Sequence, residues 1–327
     1  MKQIYLAAVD IGGTKITASI SDKKGILCKV YQLTKKKGNN KTIPNQVDRL
    51  IQHCCNNINL KKSQISAVGI SSCGPFQKKG KYYVIVAPNL CGGISKGAPN
   101  SWKSIELEQE LSKKYKKVVL GNDGITSAKA EKLFGSAKKY ENFIYITWST
   151  GIGAGAYADG KLLSGKNGNA SHIGHIYISQ DGPRCGCGQN GDLESLASGT
   201  AISKSYNNLH VKEIFGLYKK GDKKAKRIIQ IAAKNFARGL VSINSLLDTQ
   251  LFIIGGSLMK NKKILLPLVK KEFYKGFKPL TKNVKIIPSN LGFAINDLAG
   301  LSLVMPDDWV RSWQKRQPWK SVKEIIL

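Results

Sequence analysis

The sequence predicts an α/β fold in which one architecture occurs twice and the two copies flank a cleft. Three observations predict it. Residues 4 to 33 and 143 to 163 share an outline of strand, glycine loop, strand and Gly-containing tight turn. Both stretches give way further on to helix and strand patterns rather than to more meander. A chain of 327 residues is also longer than one hydrophobic core usually serves, so two domains are expected.

The elements follow in order. Ile4 to Asp10 reads as a buried strand, Gly12-Gly13-Thr14 as its turn, Ile16 to Ser21 as the return strand, and Ile26 to Leu33 as a third strand beyond Asp22-Lys23-Lys24-Gly25. Residues 44 to 60 carry Val47, Leu50, Ile51, Cys54 and Ile58 at helical spacing. A strand at 66 to 71, a helix at 102 to 115 and a strand ending in Gly121-Asn122-Asp123 complete the first half. The second begins at Phe143, turns at 150 to 155 and again at Asp159-Gly160. Residues 223 to 247 form the longest helical stretch, with Ile228, Ile231, Ala232, Phe236, Leu240, Ile243 and Leu247 assigned to one face. The strand Leu251 to Ile254 then ends at Gly255-Gly256.

Charge is the anomaly of the composition: 52 Lys+Arg against 21 Asp+Glu gives a net +31. Such a balance raises nucleic acid, membrane surfaces and anionic ligands as partners. Only six of the cations are Arg, the residue that forks onto phosphates and guanines. The lysines instead cluster in polar, turn-like places such as Lys35-Lys36-Lys37, so a solvated surface is expected and no specific nucleic-acid partner. No apolar run reaches membrane-spanning length and the first residues lack a secretory h-region, so a cytoplasmic protein is expected. Seven scattered cysteines read as reduced thiols, with the Cys185/Cys187 pair set apart.

Two glycine loops could bring bare backbone N–H groups to phosphate oxygens. Asp10-Ile11-Gly12-Gly13-Thr14-Lys15 adds an acid suited to Mg²⁺, a hydroxyl and a cation, although the same residues also make an ordinary hairpin turn. Gly151-Ile152-Gly153-Ala154-Gly155-Ala156 matches the dinucleotide fingerprint in form, but strand rather than helix follows it, which excludes a Rossmann site. No P-loop sequence is present. Asp123, just beyond a buried strand, could take a hydroxyl proton while Asn122 orients the same molecule; capping of the next helix explains the pair equally well. His172-Ile173-Gly174-His175 and Cys185-Gly186-Cys187-Gly188 offer zinc ligands, with Asp192 the nearest residue to complete a set; coincidental free cysteines are the alternative.

Together these segments resemble the ROK family of sugar kinases, regulators and uncharacterised proteins, within the hexokinase/actin-like ATPase (ribonuclease H-like) fold. The anchors are DIGGTK (10 to 15), PNL (88 to 90), GND (121 to 123), TWSTGIGAG (147 to 155), IGH (173 to 175), CGCGQNGDLESLASGTAI (185 to 202) and IIGGS (253 to 257), in the family's order over nearly the whole chain. The resemblance implies ATP and Mg²⁺ as cofactors and transfer of the γ-phosphate to the primary hydroxyl of a hexose. It implies that Asp10, Gly12, Gly13, Thr14 and Lys15 form the first phosphate loop, Thr150, Gly151 and Gly153 the second, and that Gly255 and Gly256 lie beside the adenosine. Asp123 is then the general base, Asn122, His175 and Glu194 contact the sugar, and His175, Cys185 and Cys187 hold structural Zn²⁺. Family members are commonly dimers or tetramers, so a homodimer or homotetramer is expected. The family's regulators carry a helix-turn-helix module ahead of the kinase-like body, whereas Asp10 here lies nine residues from the start.

Two departures stand out. His172 occupies the position of a sugar-binding Glu, and a neutral imidazole offers one donor or acceptor where a carboxylate accepts from two hydroxyls. That leaves open an N-acetylated amino sugar such as N-acetylglucosamine or N-acetylmannosamine as substrate, or a sugar-binding pseudokinase or regulator. Asp192 stands where a third zinc cysteine is expected, which weakens the zinc set. The expected domains are residues 1–121 joined by 296–327, and residues 122–295 with the zinc loop at 172–194. The Trp-rich tail from Met305 is expected to dock on the first domain or at a subunit interface, with binding to a membrane surface as the alternative.

Overall fold

The computed structural model describes residues 3–94, 98–321 and 325–326. The chain forms two units, one of residues 1–138, 164–170 and 293–327, the other of 139–163 and 171–292.

The first unit begins with β1 (Tyr5–Ile11), β2 (Lys15–Ser21) and β3 (Ile26–Leu33), successive antiparallel strands. α1 (Thr42–Asn57) follows, then β4 (Ile65–Ser72), the small hairpin β5 (Phe76–Lys79) and β6 (Tyr82–Ile85), α2 (Leu107–Ser112), β7 (Val118–Asn122) and α3 (Asp123–Phe134). β4 runs parallel to β1, and β7 parallel to β4. The predicted helix at 102 to 115 is confined to α2, because Trp102 and Ile105 are spent on loop and bridge contacts.

β2 is buried on both faces. Ile16, Ala18 and Ile20 meet Val47, Leu50, Ile51 and Cys54 of α1 in the core, which is why those four recur at helical spacing. On the opposite face Thr17, Ser19 and Ser21 are also buried. The helix on that side comes from the far end of the sequence.

The second unit repeats the pattern with β8 (Phe143–Trp148), β9 (Ile152–Ala158) and β10 (Lys161–Leu162). Asp159 and Gly160 both have positive φ, 49° and 71°, the primed turn that suits a tight hairpin. α4 (Leu193–Ala197), α5 (Gly199–Ser205), α6 (Val211–Lys219) and α7 (Lys223–Leu247) lead to β11 (Leu251–Gly255), α8 (Lys262–Phe273), α9 (Lys278–Thr281) and β12 (Lys285–Pro288). The sheet order β10-β9-β8-β11-β12 matches β3-β2-β1-β4-β7 of the first unit strand for strand. α7 spans the predicted residues, and Ala232, Phe236, Leu240 and Ile243 of the assigned face are buried with Ile228 and Leu247 packed against the same core, while Ile231 is 48% exposed.

The chain then returns to the first unit through α10 (Ile295–Val304), α11 (Asp307–Arg316) and β13 (Ile325–Ile326), the last pairing with β3. α10 packs on β1, β4 and α3. Its approach is close enough to require glycine on both sides: a Cβ on Gly69 would lie 2.0 Å from the Gly300 carbonyl oxygen. The tail docks on this unit. Trp313 donates its indole N–H to the Lys23 carbonyl at 3.0 Å, Gln314 donates to the Leu133 carbonyl at 2.8 Å, and Trp319 meets Phe134 edge to face. Residues 322–324 and 327 of that tail lie outside the described residues.

The division falls differently from the expected one. α3 groups with the first unit because it packs against α10, so the break lies after residue 138 rather than 121. Residues 164–170 join it as well, where Asn169 both accepts from the Phe76 N–H at 2.8 Å and donates to the Phe76 carbonyl at 2.7 Å.

Candidate active site

In the first unit the end of β1 and the start of β2 are joined by Gly12, Gly13 and Thr14, and Gly12 N–H closes the turn on the Lys15 carbonyl at 3.0 Å. Gly13 abuts Asn89, whose Cβ would be 3.2 Å from a Cβ placed on the glycine. Lys15 extends over the Tyr31 ring, 4.8 Å from its centroid. Asp10 pairs across the sheet with Thr17 on one side and Ser71 on the other. Burial pushes its carboxyl up from 3.8 to about 7, helped by the like charges of Asp123 and Asp297 and opposed by Lys15 and Lys29.

β7 ends at Asn122, whose Oδ1 caps α3 by accepting from Gly124 N–H at 3.0 Å and Ile125 N–H at 3.4 Å. Asp123 is the first residue of the helix and takes Gly124 N–H on its own Oδ1 at 2.8 Å. Thr126 ties this helix start to Ser71 at 3.0 Å. Capping and presentation of a carboxylate are thus two jobs of one junction, and Asn122 performs the first.

In the second unit the loop before β9 is held from three sides. Glu194 Oε2 accepts from Ile152 N–H at 2.8 Å, and a Cβ on Gly151 would sit 2.5 Å from that same oxygen, so a side chain there would push the carboxylate aside. Gly199 and Thr200 N–H groups donate to the carbonyls of Ser149 and Thr150 at 2.8 and 3.1 Å. Ser257 N–H donates to Ser149 Oγ at 2.8 Å, and the Gly256 turn that brings it there has φ 89°. Thr150, Gly151, Gly153, Glu194, Gly255 and Gly256 therefore belong to one constellation. Burial raises the Glu194 carboxyl above its ordinary range.

Beside it lies a tetrad. His175 Nδ1 is 3.0 Å from Asp192 Oδ2 and 3.8 Å from Cys185 Sγ, while Cys187 Sγ is 3.3 Å from the same carboxylate oxygen. The four ligand atoms all lie within 4.8 Å of one another, a spread that a tetrahedral ion with N, S and O ligands accommodates. Asp192 is fully buried and also caps α4 through Oδ1, which accepts from Ser195 N–H at 2.7 Å. Burial alone would raise its carboxyl; the bonds from His175, Cys185 and Ser195 hold it well below the usual range. The tetrad turns Nδ1 of His175 inward, leaving Nε2 as its other polar atom. His172, whose ring lies nearly parallel to that of His175 at 6.1 Å, has a buried Nε2 with no hydrogen-bond partner among the described residues. Burial and His175 together lower its pKa, which favours the neutral ring.

Sequence reasoning missed the ion pair between Lys29 and Asp297, buried at 2.7 Å within the electrostatic reach of Asp10. A lysine in a strand and an aspartate 268 residues away carry no local signal.

Two sheets of one strand order, each with a glycine turn between its first two strands, define an actin-like ATPase of the hexokinase type. The ROK family model matches residues 6–293, and the chain belongs to that family. It is 28% identical over 317 residues to a glucokinase of Thermotoga maritima, covering 89% of this chain and 91% of the other. It is 31% identical over 255 residues to an N-acetylmannosamine kinase of Yersinia pseudotuberculosis, covering 76% and 82%. Among solved structures, a ROK family glucokinase from Streptomyces griseus in complex with glucose and AMPPNP superposes with a TM-score of 0.75 at 25% identity, covering 91% and 98%.

Proposed function

We propose that this chain is an ATP-dependent sugar kinase that transfers the γ-phosphoryl group to the primary hydroxyl of a hexose. The observation that carries this reading is the gathering of Asp10, the Gly12 to Lys15 turn and Asp123 within one unit, where burial first, and then the like charges of Asp123 and Asp297, raise Asp10 to about 7. Such a cluster suits a divalent cation, and Asp10 would hold Mg²⁺, which supplies charge neutralisation on the transferring phosphate. Phosphoryl transfer asks mainly for positioning and charge compensation.

Asp123 accepts the hydroxyl proton as the sugar oxygen bonds to phosphorus and the bond from phosphorus to the ADP oxygen breaks. Asn122, with its Oδ1 committed to the helix cap, offers its amide N–H groups to a neighbouring hydroxyl. In the first unit Gly13 and Thr14 would meet phosphate; in the second Thr150, Gly151 and Gly153 would do so, with Gly255 and Gly256 for the adenosine and Glu194, His175 Nε2 and His172 for the sugar. His175, Cys185, Cys187 and Asp192 would hold Zn²⁺ and so fix the ring of His175 from behind. The unpartnered Nε2 of a neutral His172 accepts one donor, which makes the sugar's 2-substituent the feature to vary.

The test is ADP release with glucose, fructose, mannose, glucosamine, N-acetylglucosamine and N-acetylmannosamine as acceptors, with Asp123→Asn as control. Turnover of at least one sugar that is lost in the variant is expected. No turnover of any of them by the wild type overturns the proposal.

A further inference from the structure

The second unit carries a groove that the kinase chemistry does not use. It lies where α5 and the end of α4 pack on the first half of α7, and it holds about 280 Å³. Leu196, Ile202, Ile228 and Ile231 supply its apolar lining, and Lys224 and Arg227 belong to the same lining. Leu196 and Ile228 are half-buried and Ile231 is 48% exposed. The other exposed residues of α7 between 223 and 238 are all Lys, Arg or Gln, so Ile231 is an apolar interruption of a cationic face, placed at the groove.

The lining selects a ligand. Its one hydroxyl, on Ser205, donates to the Ala201 carbonyl at 2.9 Å. A sugar or a base would leave polar groups unpaired against the rest, which is costly, whereas an apolar tail gains by leaving water. The volume sits at the lower edge of ordinary ligand pockets, roughly 300–1,000 Å³, which suits a short chain. Both cations are free to meet an anion: neither Lys224 nor Arg227 is in an ion pair among the described residues. Lys224 lies over the Tyr206 ring, 4.6 Å from its centroid. Asp222, the acid nearest to them in sequence, is committed to capping α7, accepting from Ala225 N–H at 2.6 Å.

The helices that wall this groove also hold the second phosphate loop. α5, which carries Ile202, begins with the Gly199 and Thr200 N–H groups that bond to Ser149 and Thr150. α4, which carries Leu196, brings Glu194 to the Ile152 N–H. We propose that the groove is an effector site for a small amphipathic carboxylate, a medium-chain fatty acid, and that filling it tightens nucleotide binding. The tail lies on Leu196, Ile202, Ile228 and Ile231, and the carboxylate meets Lys224 and Arg227. Packed on both short helices, the tail favours the arrangement in which they support the loop. The coupling to nucleotide rests on the kinase reading of that loop; the fatty-acid site does not.

The experiment titrates the full chain calorimetrically with decanoate below its micelle concentration, and in parallel with decanol and decyltrimethylammonium, which keep the tail and change the head. Decanoate is expected to bind roughly tenfold tighter than either. Arg227→Glu and Ile231→Asp, both at exposed positions outside the catalytic machinery, should each weaken decanoate by roughly tenfold and leave the melting curve and the affinity for a non-hydrolysable ATP analogue with Mg²⁺ unchanged. In the wild type, saturating decanoate should tighten that analogue by about fivefold or more, and the analogue should tighten decanoate by the same factor. Equal binding of decanol overturns the site, because the groove would then be an apolar patch without anion recognition. Undiminished binding by both variants overturns it too, since the ligand would lie elsewhere. Decanoate that binds without changing the analogue's affinity overturns the effector role. An analogue that never binds overturns the kinase reading, while the head-group series and the two variants still decide the fatty-acid site.

Discussion

Asp10 sits where three carboxylates share poorly hydrated space, and the cost of ionising it is built into the ligand-free fold. Its pKa rises on folding from 3.8 to about 7. Its contribution to stability is therefore full below 3.8 and is lost as pH climbs through about 7. Asp10→Asn should melt higher than wild type at pH 8 in a ligand-free thermal scan and show no gain at pH 3.8. A shift of a few degrees is expected, since ~1 kcal/mol moves a unit of this size by about 2–4 °C. The same variant should lose Mg²⁺-dependent turnover, so the residue trades stability for chemistry. Asp123→Asn should lower kcat by about 10²–10⁴ with an unchanged circular dichroism spectrum, because the helix cap comes from Asn122. Asn122→Ala is the converse case: a cap loss of ~1 kcal/mol that a melting curve detects.

Helix α4 is only five residues long, with Asp192 at its N-cap and Glu194 in its first turn. Asp192 serves the tetrad through one oxygen and caps the helix through the other. Asp192→Asn should keep the cap and weaken Zn²⁺ binding, read as metal content after equilibration and desalting; Asp192→Ala should lose both. Unchanged metal content in the Asn variant would remove Asp192 from the ligand set. On α10, Gly300→Ala places a methyl 2.7 Å from the Gly69 carbonyl oxygen, and overpacking of this kind costs about 1–3 kcal/mol or more, measurable by urea titration.

These elements also show what could be read from sequence. β1, β2, β8, β9 and α7 were legible because glycine turns and apolar spacing are local signals, and the glycine loops and Asn122-Asp123 stood out for the same reason. Asp192 as helix cap and partner of His175 and Cys187 at once was not legible, since one residue type serves both ends. Neither was the burial of the polar face of β2, because Thr17, Ser19 and Ser21 are covered by α10, which lies far along the chain. The outward turn of Ile231 was missed because its buried neighbours Ala232 and Ala233 carry little hydropathy contrast against it.

At the scale of the molecule, three stretches of chain build the first unit and the tail closes it. Trp309, Trp313 and Trp319 are all buried there, at 4%, 0% and 6% exposure, and loss of a single buried large aromatic costs about 3–5 kcal/mol. A chain cut before Met305 should be recovered as aggregate, whereas Arg316→Ala, at the exposed end of α11, should remain soluble; a soluble, active truncation would show that the docking is dispensable.

The return of the chain to its first sheet bears on synthesis. Domains usually fold as they emerge, N-terminal first. Here β1 leaves the ribosome long before α10, the helix that covers it, whereas residues 171–292 of the second unit emerge without interruption. The part made first is thus completed last. During the interval its exposed face, with Leu6, Ala8 and Gly69 uncovered, is the stretch that a chaperone would meet.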